Sequence, residues 1–325
     1  MVSSRTARFL SITLSILCAF AYSCAVSEDV STGDQLSTQS NGSNFNGIHL
    51  NGSNFNGMNM VGFMATGAKK GTADLTDLRV WRGELIAEQG SVTLHGFQLV
   101  GTTLQALVRN NNTQPVTDTI VTYRIAGVDP EVGNDPTNTG STYLYSLEQW
   151  DASVSQWVPA CSAAQDGSRV AIPVAAEWDE YGNRNDDNSL FTLACTSGVI
   201  AKCYRWGYRP WVTGYGDLAR THWTCTRLAR ADYCGNGVPF TYDGHLIDVW
   251  DNLPAPGPIQ VPAPAPGSFD AAWNTDGATC LSTATQTSLG SSIAASCPAR
   301  VFPTCNSEQA AVTLDPTVHM FRAVY

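Results

Sequence analysis

Hydrophobic positions in the middle of the chain recur mostly with a period of two, which is the spacing of β-strands. The segments 117–125 and 143–147 alternate in this way and are rich in β-branched and aromatic residues. Two further apolar segments, 239–242 and 245–250, flank Asp243-Gly244, a pair typical of a two-residue hairpin loop. The pattern predicts a mainly β fold in which these last two segments form an antiparallel hairpin.

Two segments have helical features instead. Residues 198–206 follow Ser197, a suitable N-cap, and residues 217 to about 234 begin with an acidic residue and end before Gly235. Six prolines in the segment 254–266 disfavour a helix or a central strand there. We therefore expect a mainly β domain with one or two short helices and a proline-rich connector.

A five-residue period precedes this domain, in residues 43–106. Phe45, Leu50, Phe55 and Leu75 occupy its apolar position, and a glycine closes most units. The pattern resembles pentapeptide-repeat proteins, which implies a short right-handed β-helix. The consecutive units make less than two full turns, so the alternative is a Gly/Asn-rich spacer.

The first residues are typical of an export signal. Arg5 and Arg8 precede a short apolar stretch, and Ser23-Cys24 follows it in a sequence similar to a bacterial lipobox. This resemblance implies that Cys24 is acylated and anchors the protein to a membrane. The alternative is an ordinary signal peptide cleaved near Ser23. We divide the chain into a signal peptide (1–23), a tether (24–42), the repeat region (43–106) and a disulfide-rich domain (107–325).

The cysteine count agrees with export. Of ten cysteines, Cys18 and Cys24 lie in the signal and its end. The even number that remains permits four disulfides in an oxidising compartment, with 105 alternative pairings. They are Cys161, Cys195, Cys203, Cys225, Cys234, Cys280, Cys297 and Cys305. No zinc-type spacing occurs among them.

The spacing of two of these cysteines limits the pairing. On one continuous helix, the Cα atoms of Cys225 and Cys234 would be about 13 Å apart at ~1.5 Å per residue, whereas a disulfide tolerates at most ~7 Å. We therefore favour different partners, Cys195 or Cys203 for one and the C-terminal tail for the other; a break in the helix is the alternative.

Composition excludes one class of partner. Apolar residues make up 43% of the chain, enough for a sizeable core. Charged residues are scarce, at 14%, and the net charge is -10. Because no basic patch is available to neutralise phosphates, we expect no nucleic-acid partner.

The densest motif is Ala231-Asp232-Tyr233-Cys234. It follows Lys202-Cys203 and the segment Gly207-Tyr208-Arg209-Pro210-Trp211, and it precedes Asp243-Gly244. This ordered set resembles the ADYC-domain family of bacterial exported proteins and lipoproteins, over about residues 140–310. The resemblance implies export and no particular activity. Because Asp232 opposes the helix dipole, it should have a donor, which would be Arg227, Arg230 or a backbone N–H of the following segment.

Three groups of residues are candidates for chemistry. His222 and Asp232 could serve as the acid and base of a hydrolase. Trp206, Tyr208 and Trp211, together with Tyr215, could form a glycan-binding platform, and an oxygen-rich loop could bind calcium. The loop residues are Asp179, Asn183, Asn185 and Asp187. Each group also has a structural interpretation, as core packing or as polar contacts of a loop. No nucleophile-elbow, zinc-protease or phosphate-loop motif occurs, and we expect no cofactor.

Taken together, these features predict an exported bacterial envelope protein. It would be an outer-membrane-anchored lipoprotein, or a periplasmic or extracellular protein, that acts as a non-catalytic binding or structural module. Its partners would be the membrane, through the lipid, and an envelope glycan or protein. The alternatives are the secreted hydrolase and the glycan-binding module.

Overall fold

The computed structural model describes residues 35–36, 38–40, 58–110, 115, 117–131, 142–186, 189–264 and 266–325. The strands in the first part of the chain are β1 (Gln35–Leu36), β2 (Thr38–Ser40), β3 (Met58–Met64), β4 (Lys69–Lys70), β5 (Ala73–Asp74), β6 (Thr76–Trp81), β7 (Glu84–Gln89), β8 (Val92–His95), β9 (Thr102–Asn110), β10 (Thr117–Pro130), β11 (Tyr143–Asp151), β12 (Gln156–Pro159), β13 (Val170–Val174), β14 (Glu177–Trp178), β15 (Arg184–Asn185) and β16 (Leu190–Cys195). A 3-10 turn, Gly96–Leu99, links β8 to β9.

The rest of the chain contains the helices. The elements are α1 (Val199–Arg205), α2 (Leu218–Arg230), β17 (Leu246–Asp251), β18 (Gln260–Val261), β19 (Ser268–Asn274), β20 (Gly277–Leu281), α3 (Thr283–Ser296), α4 (Glu308–Leu314) and β21 (Met320–Val324). The predicted mainly β fold is confirmed, and the described part of the chain contains four helices where the sequence predicted one or two. No helix in the described part of the chain is long and apolar enough to span a membrane.

Six antiparallel strands close into a ring in the order β10-β11-β13-β16-β3-β9, because β9 also pairs with β10. Strands β12, β4 and β5 extend it. Alternate residues fill its interior, as the period of two predicts. Tyr123 and Ile125 of β10 are fully buried, and the ring of Tyr123 lies edge-on to Phe63, with the ring centroids 5.2 Å apart. The sheet β6-β7-β8 adds Leu85 to this core.

A second sheet, β2-β17-β21-β19-β20, has a core on each of its two faces. Val249, Trp273 and Met320 are in one buried cluster with Leu228 of α2, and helix α3 adds Ile293 to the same cluster. The alternate residues of these strands lie in another cluster together with Ala311 of α4. The two-residue periodicity of the strands therefore determines which helix covers which face. Two short pairs, β1-β18 and β14-β15, complete the strands.

Residues 58–106 of the repeat region form antiparallel strands and not the coils of a β-helix. Leu75, Leu94, Leu99 and Leu104 are buried as the repeat predicts, but they contribute to the core of the ring. The five-residue period arises here from short strands joined by tight turns. Strand β9 spans the expected boundary after residue 106. Residues 43–57 lie outside the described residues.

The hairpin predicted around Asp243-Gly244 is wrong, although the turn exists. The backbone N–H of His245 donates to the Tyr242 carbonyl, and Gly244 has a φ of 86°. Asp243 does not have the positive φ that a type I′ turn requires. Strand β17 pairs instead with β2 and β21, which come from the two ends of the described chain.

Eight cysteines form four disulfides, as predicted. The pairs are Cys161–Cys195, Cys203–Cys225, Cys234–Cys297 and Cys280–Cys305. Cys225 and Cys234 therefore bond to different partners, one to α1 and one to the tail, and this expectation is confirmed.

Candidate functional site

The Ala-Asp-Tyr-Cys motif begins where helix α2 ends. Ala231 is in the left-handed conformation, with a φ of 52°, and its N–H donates to the carbonyls of Arg227 and Leu228. A left-handed residue at this position ends a helix because the chain then leaves the helical axis. The helix is therefore shorter than the predicted segment 217–234, and the next three residues turn into the protein.

Asp232 is fully buried and has the donors that the sequence predicts. Arg227 Nη1 donates to its Oδ2 over 2.6 Å, and the backbone N–H groups of Asn236 and Gly237 donate to the carboxylate over 3.1 and 2.9 Å. Arg230 contacts the Gly237 carbonyl. Two of the three expected donor types thus bind Asp232, which makes it a fully hydrogen-bonded structural carboxylate.

Arg227 connects this carboxylate to the loop considered for calcium. Its Nη2 donates to Asn183 Oδ1 over 2.9 Å, and its Nη1 contacts the Tyr181 carbonyl. Asp179 accepts the backbone N–H groups of Tyr181 and Asn183. The oxygens of Asp179 and Asn183 therefore bind N–H donors, and a guanidinium lies where a cation would have to be.

The other calcium candidates do not complete a metal site. Asn185 Nδ2 donates to Glu177 Oε1 over 2.6 Å, and Asp187 is outside the described residues. Among the residues that the structure describes, no group of three or more His, Cys, Asp or Glu side chains is arranged to hold a metal ion.

Tyr233 joins the motif to strands β19 and β21. Its hydroxyl donates to Asp270 Oδ1 over 2.9 Å and accepts from Arg322 Nη2 over 2.8 Å. Its ring stacks on Trp273, with the ring centroids 5.1 Å apart. Burial raises the pKa of Tyr233 well above its ordinary value, so the phenol stays protonated.

The last motif residue, Cys234, bonds to Cys297 after helix α3. Close backbone contacts surround it: the Tyr233 carbonyl accepts from the Ala278 N–H over 3.0 Å and from Arg300 Nη1 over 3.2 Å. A Cβ on Gly277 would lie 2.5 Å from that carbonyl oxygen, so this position accommodates only glycine. All four motif residues thus hold α2, the second sheet and the tail together.

His222 does not share a site with Asp232. It is fully buried in α2, its Nε2 lies 2.9 Å from the Ile200 carbonyl oxygen, and its ring is edge-on to Tyr204. Burial, together with the nearby positive charge of Arg184, lowers the pKa of His222 to about 3. Asp232 lies beyond the end of α2, and the helical stretch from His222 to Arg230 alone spans about 12 Å at ~1.5 Å per residue. The structure does not bring the predicted acid and base together.

Of the four aromatic residues considered for glycan binding, Trp206, Tyr208 and Trp211 pack in or against the core, and Tyr215 is half-buried beside it. Trp206 and Tyr208 are buried, and the Tyr208 hydroxyl donates to Asp251 Oδ2 over 2.9 Å. Trp211 is half-buried and packs on Tyr204, with the ring centroids 5.3 Å apart. These side chains do not form an exposed platform.

The sequence did not reveal a cavity of about 370 Å³, lined by polar and apolar residues, beside the first turn of α2. Its lining comes from four separate segments, 215–224, 253–254, 273–274 and 317–320. Asp217 caps the helix there by accepting the Arg220 N–H over 3.0 Å. Asp217 carried a sequence signal as a helix start, and Tyr215 carried one as a member of the predicted aromatic platform. The other lining segments meet through long-range strand pairing, which the sequence does not show.

Comparison with known proteins identifies the family. The family model described as the ADYC domain matches residues 96–287, which is more than half of the chain. The match begins earlier than the predicted residue 140 and includes strands β9 and β10 of the ring. No curated protein and no solved structure matches the chain. The chain therefore belongs to the ADYC domain family.

Proposed function

We propose that this protein is an exported bacterial envelope protein whose ADYC domain is a non-catalytic binding module. In this proposal residues 1–23 are a signal peptide, Cys24 carries a lipid, and residues 24–42 tether the domain to the outer membrane. The alternative is that the protein is released into the periplasm or the medium. Residues 1–34 lie outside the described residues, so the argument for the signal peptide and the lipid is the sequence pattern given above. At the end of the tether, β1 and β2 pair with β18 and β17 of the domain.

The four disulfides support the proposal that the protein is exported. Disulfides persist in oxidising compartments and are rare in a reducing cytosol. Here they involve all eight cysteines of residues 107–325. Removing a native disulfide from a small domain typically costs about 2–5 kcal/mol, so a reducing compartment would weaken this fold substantially.

One observation carries the non-catalytic part of the proposal: the ionisable groups of the family motif are occupied by structural contacts. Asp232 is buried against Arg227, and Tyr233 is buried between Asp270 and Arg322. A general acid or base must reach its substrate, directly or through one water molecule. These groups instead stabilise the chain, which favours a binding module over the hydrolase alternative.

The proposed localisation is tested by measuring the intact mass of protein extracted from native membranes, before and after reduction with thiol alkylation. We expect a lipid adduct on Cys24 and eight thiols released by reduction. Cys24→Ala should move the protein to the soluble fraction, and Cys18→Ala is the matched control because it changes a cysteine of the signal without removing the acylated residue. A species without lipid but with eight releasable thiols would overturn the anchor and leave export standing.

The role of the motif is tested by alanine at His222 and Asp232, singly. A structural role predicts lower thermal stability of both variants. A hydrolase would instead lose turnover of its substrate while keeping its melting temperature, and this result would overturn the non-catalytic proposal.

A further inference from the structure

The cavity beside α2 has the features of a ligand site. Its volume of about 370 Å³ is within the range of ~300–1,000 Å³ that small-molecule sites occupy. Trp273 and Met320, two of its lining residues, are each 1% exposed, so the cavity reaches the buried core of the second sheet.

The lining also offers a donor and an acceptor on charged groups. The Arg220 side chain is exposed and has no hydrogen-bond or ion-pair partner in the part of the chain that the structure describes. Asp217 uses Oδ1 to cap the helix, and its other oxygen remains an acceptor. The positive charge of Arg220 and the negative charge of Asp217 cancel, so these two side chains add no net charge to the cavity.

Uncharged groups in the lining add acceptors. The hydroxyls of Thr221 and Thr224 donate to the carbonyls of Asp217 and Arg220, so they present only lone pairs to the cavity. His319 Nδ1 lies 2.9 Å from Asn252 Oδ1, which accepts the Nδ1 proton and leaves Nε2 as an acceptor in the neutral ring.

We propose that this cavity binds a neutral polyhydroxyl ligand of one or two sugar rings. Each sugar hydroxyl both donates and accepts, which matches a lining that mixes donors with acceptors. Because one negative and one positive side chain lie in the same lining, these two groups together give a simple anion or a simple cation no net electrostatic advantage. The inference rests on the proposed binding function and gives it a ligand class and a location different from that of Trp206, Tyr208 and Trp211.

The test is saturation-transfer NMR and calorimetry on the full, disulfide-bonded chain. The probes are glucose, N-acetylglucosamine, maltose and dextran, with inorganic phosphate and glycine as charged competitors. We expect binding of at least one sugar, and Arg220→Ala should weaken it about tenfold or more, because a hydrogen bond to a charged group contributes about 1.5–3 kcal/mol. Arg82→Ala is the matched control, since Arg82 is also exposed but lies outside the cavity lining.

A second variant, His319→Phe, removes the Nε2 acceptor and should also weaken binding. If this half-buried change prevents folding, the exposed Arg220 variant decides alone. Binding of dextran would point to the end of a glycan chain, and binding of the small sugars alone would point to a free sugar; both support the proposal. Absence of binding by all four sugars, equal binding by Arg220→Ala, or preferential binding of phosphate or glycine would overturn it. None of these results changes the expected lipid mass or thiol count, so the proposed export and lipid anchor are tested independently of the sugar site.

Discussion

Arg322 Nε lies 2.7 Å from Asp270 Oδ2, and both side chains are almost completely buried. Two hydroxyls complete this ion pair. Tyr233 bridges its two ends, and Thr285 Oγ1 donates to Asp270 Oδ1 over 2.6 Å. A buried pair offsets its desolvation cost only when its remaining donors and acceptors are hydrogen-bonded. The tyrosine of the family motif is thus part of a closed network in the core.

Tyr233→Phe should lower the free energy of unfolding by about 1–3 kcal/mol, because Arg322 and Asp270 each lose a buried hydrogen-bond partner. The measurement is urea unfolding of the oxidised protein. Tyr242→Phe is the control, since Tyr242 is 66% exposed. An equal, small effect of the two substitutions would contradict the role assigned to the Tyr233 hydroxyl.

Asp232→Ala should cost more, about 3–5 kcal/mol, because it leaves the Arg227 guanidinium buried without its carboxylate. Asp74→Ala removes an exposed partner of Lys69 and should change stability by less than about 1 kcal/mol. Thermal unfolding of the two variants under the same oxidising conditions checks this contrast. Unchanged stability of the Asp232 variant would show that the carboxylate is not structural.

His222 should make stability fall as the pH falls. Its pKa is lowered to about 3 in the folded protein, below the ordinary value of 6.5, so the unfolded chain binds the proton more readily. The stabilisation is complete above about pH 6.5 and is lost progressively as the pH falls towards 3. Between pH 7 and pH 5 the histidine should account for about 2 kcal/mol.

The measurement is urea unfolding at both pH values, for the natural protein and for His222→Gln. Since the variant cannot bind this proton, its loss of stability from pH 7 to pH 5 should be smaller by that amount. His95→Gln, at an exposed position, is the control. Parallel pH profiles of the natural protein and the His222 variant would mean that His222 titrates normally.

Two glycines should respond to alanine in opposite directions. Gly235 has a φ of 67°, and an added Cβ would lie 2.0 Å from the Asp276 carbonyl oxygen, so Gly235→Ala should destabilise the protein by more than about 1 kcal/mol. Gly290 lies within α3 with open space around it, and Gly290→Ala should stabilise the protein by about 0.5–1 kcal/mol. Chemical unfolding of both variants gives the two signs, and a shared sign would be inconsistent with the backbone geometry at Gly235.

Local features of the fold were accessible from the sequence. The end of α1 before Gly207 and the donors of Asp232 follow from helix caps and the helix dipole, which depend on neighbouring residues. Helix α3 was missed because its face carries little apolar signal: Thr285 and Ile293 are its buried residues.

Long-range pairing was not accessible. Strand β17 finds its partners near residues 38 and 322, and Asp270 and Arg322 reach Tyr233 from 37 and 89 residues away. No local pattern encodes such distances, so the hairpin was predicted between neighbours and the cavity was not predicted at all. His222 was a candidate catalyst for the same reason, since only the packed structure shows Tyr204 and Ile200 around it.

The order of the disulfides along the chain separates two kinds of pairing. Cys161–Cys195 and Cys203–Cys225 each join consecutive cysteines, whereas Cys234–Cys297 and Cys280–Cys305 interleave. An oxidant that links cysteines in the order of their emergence would make the first two bonds correctly and would then join Cys234 to Cys280. Reaching the native bonds from there requires a thiolate to attack that mismatched bond. Maturation of the C-terminal half thus depends on a disulfide isomerase, or on Cys234 staying reduced until the tail has arrived.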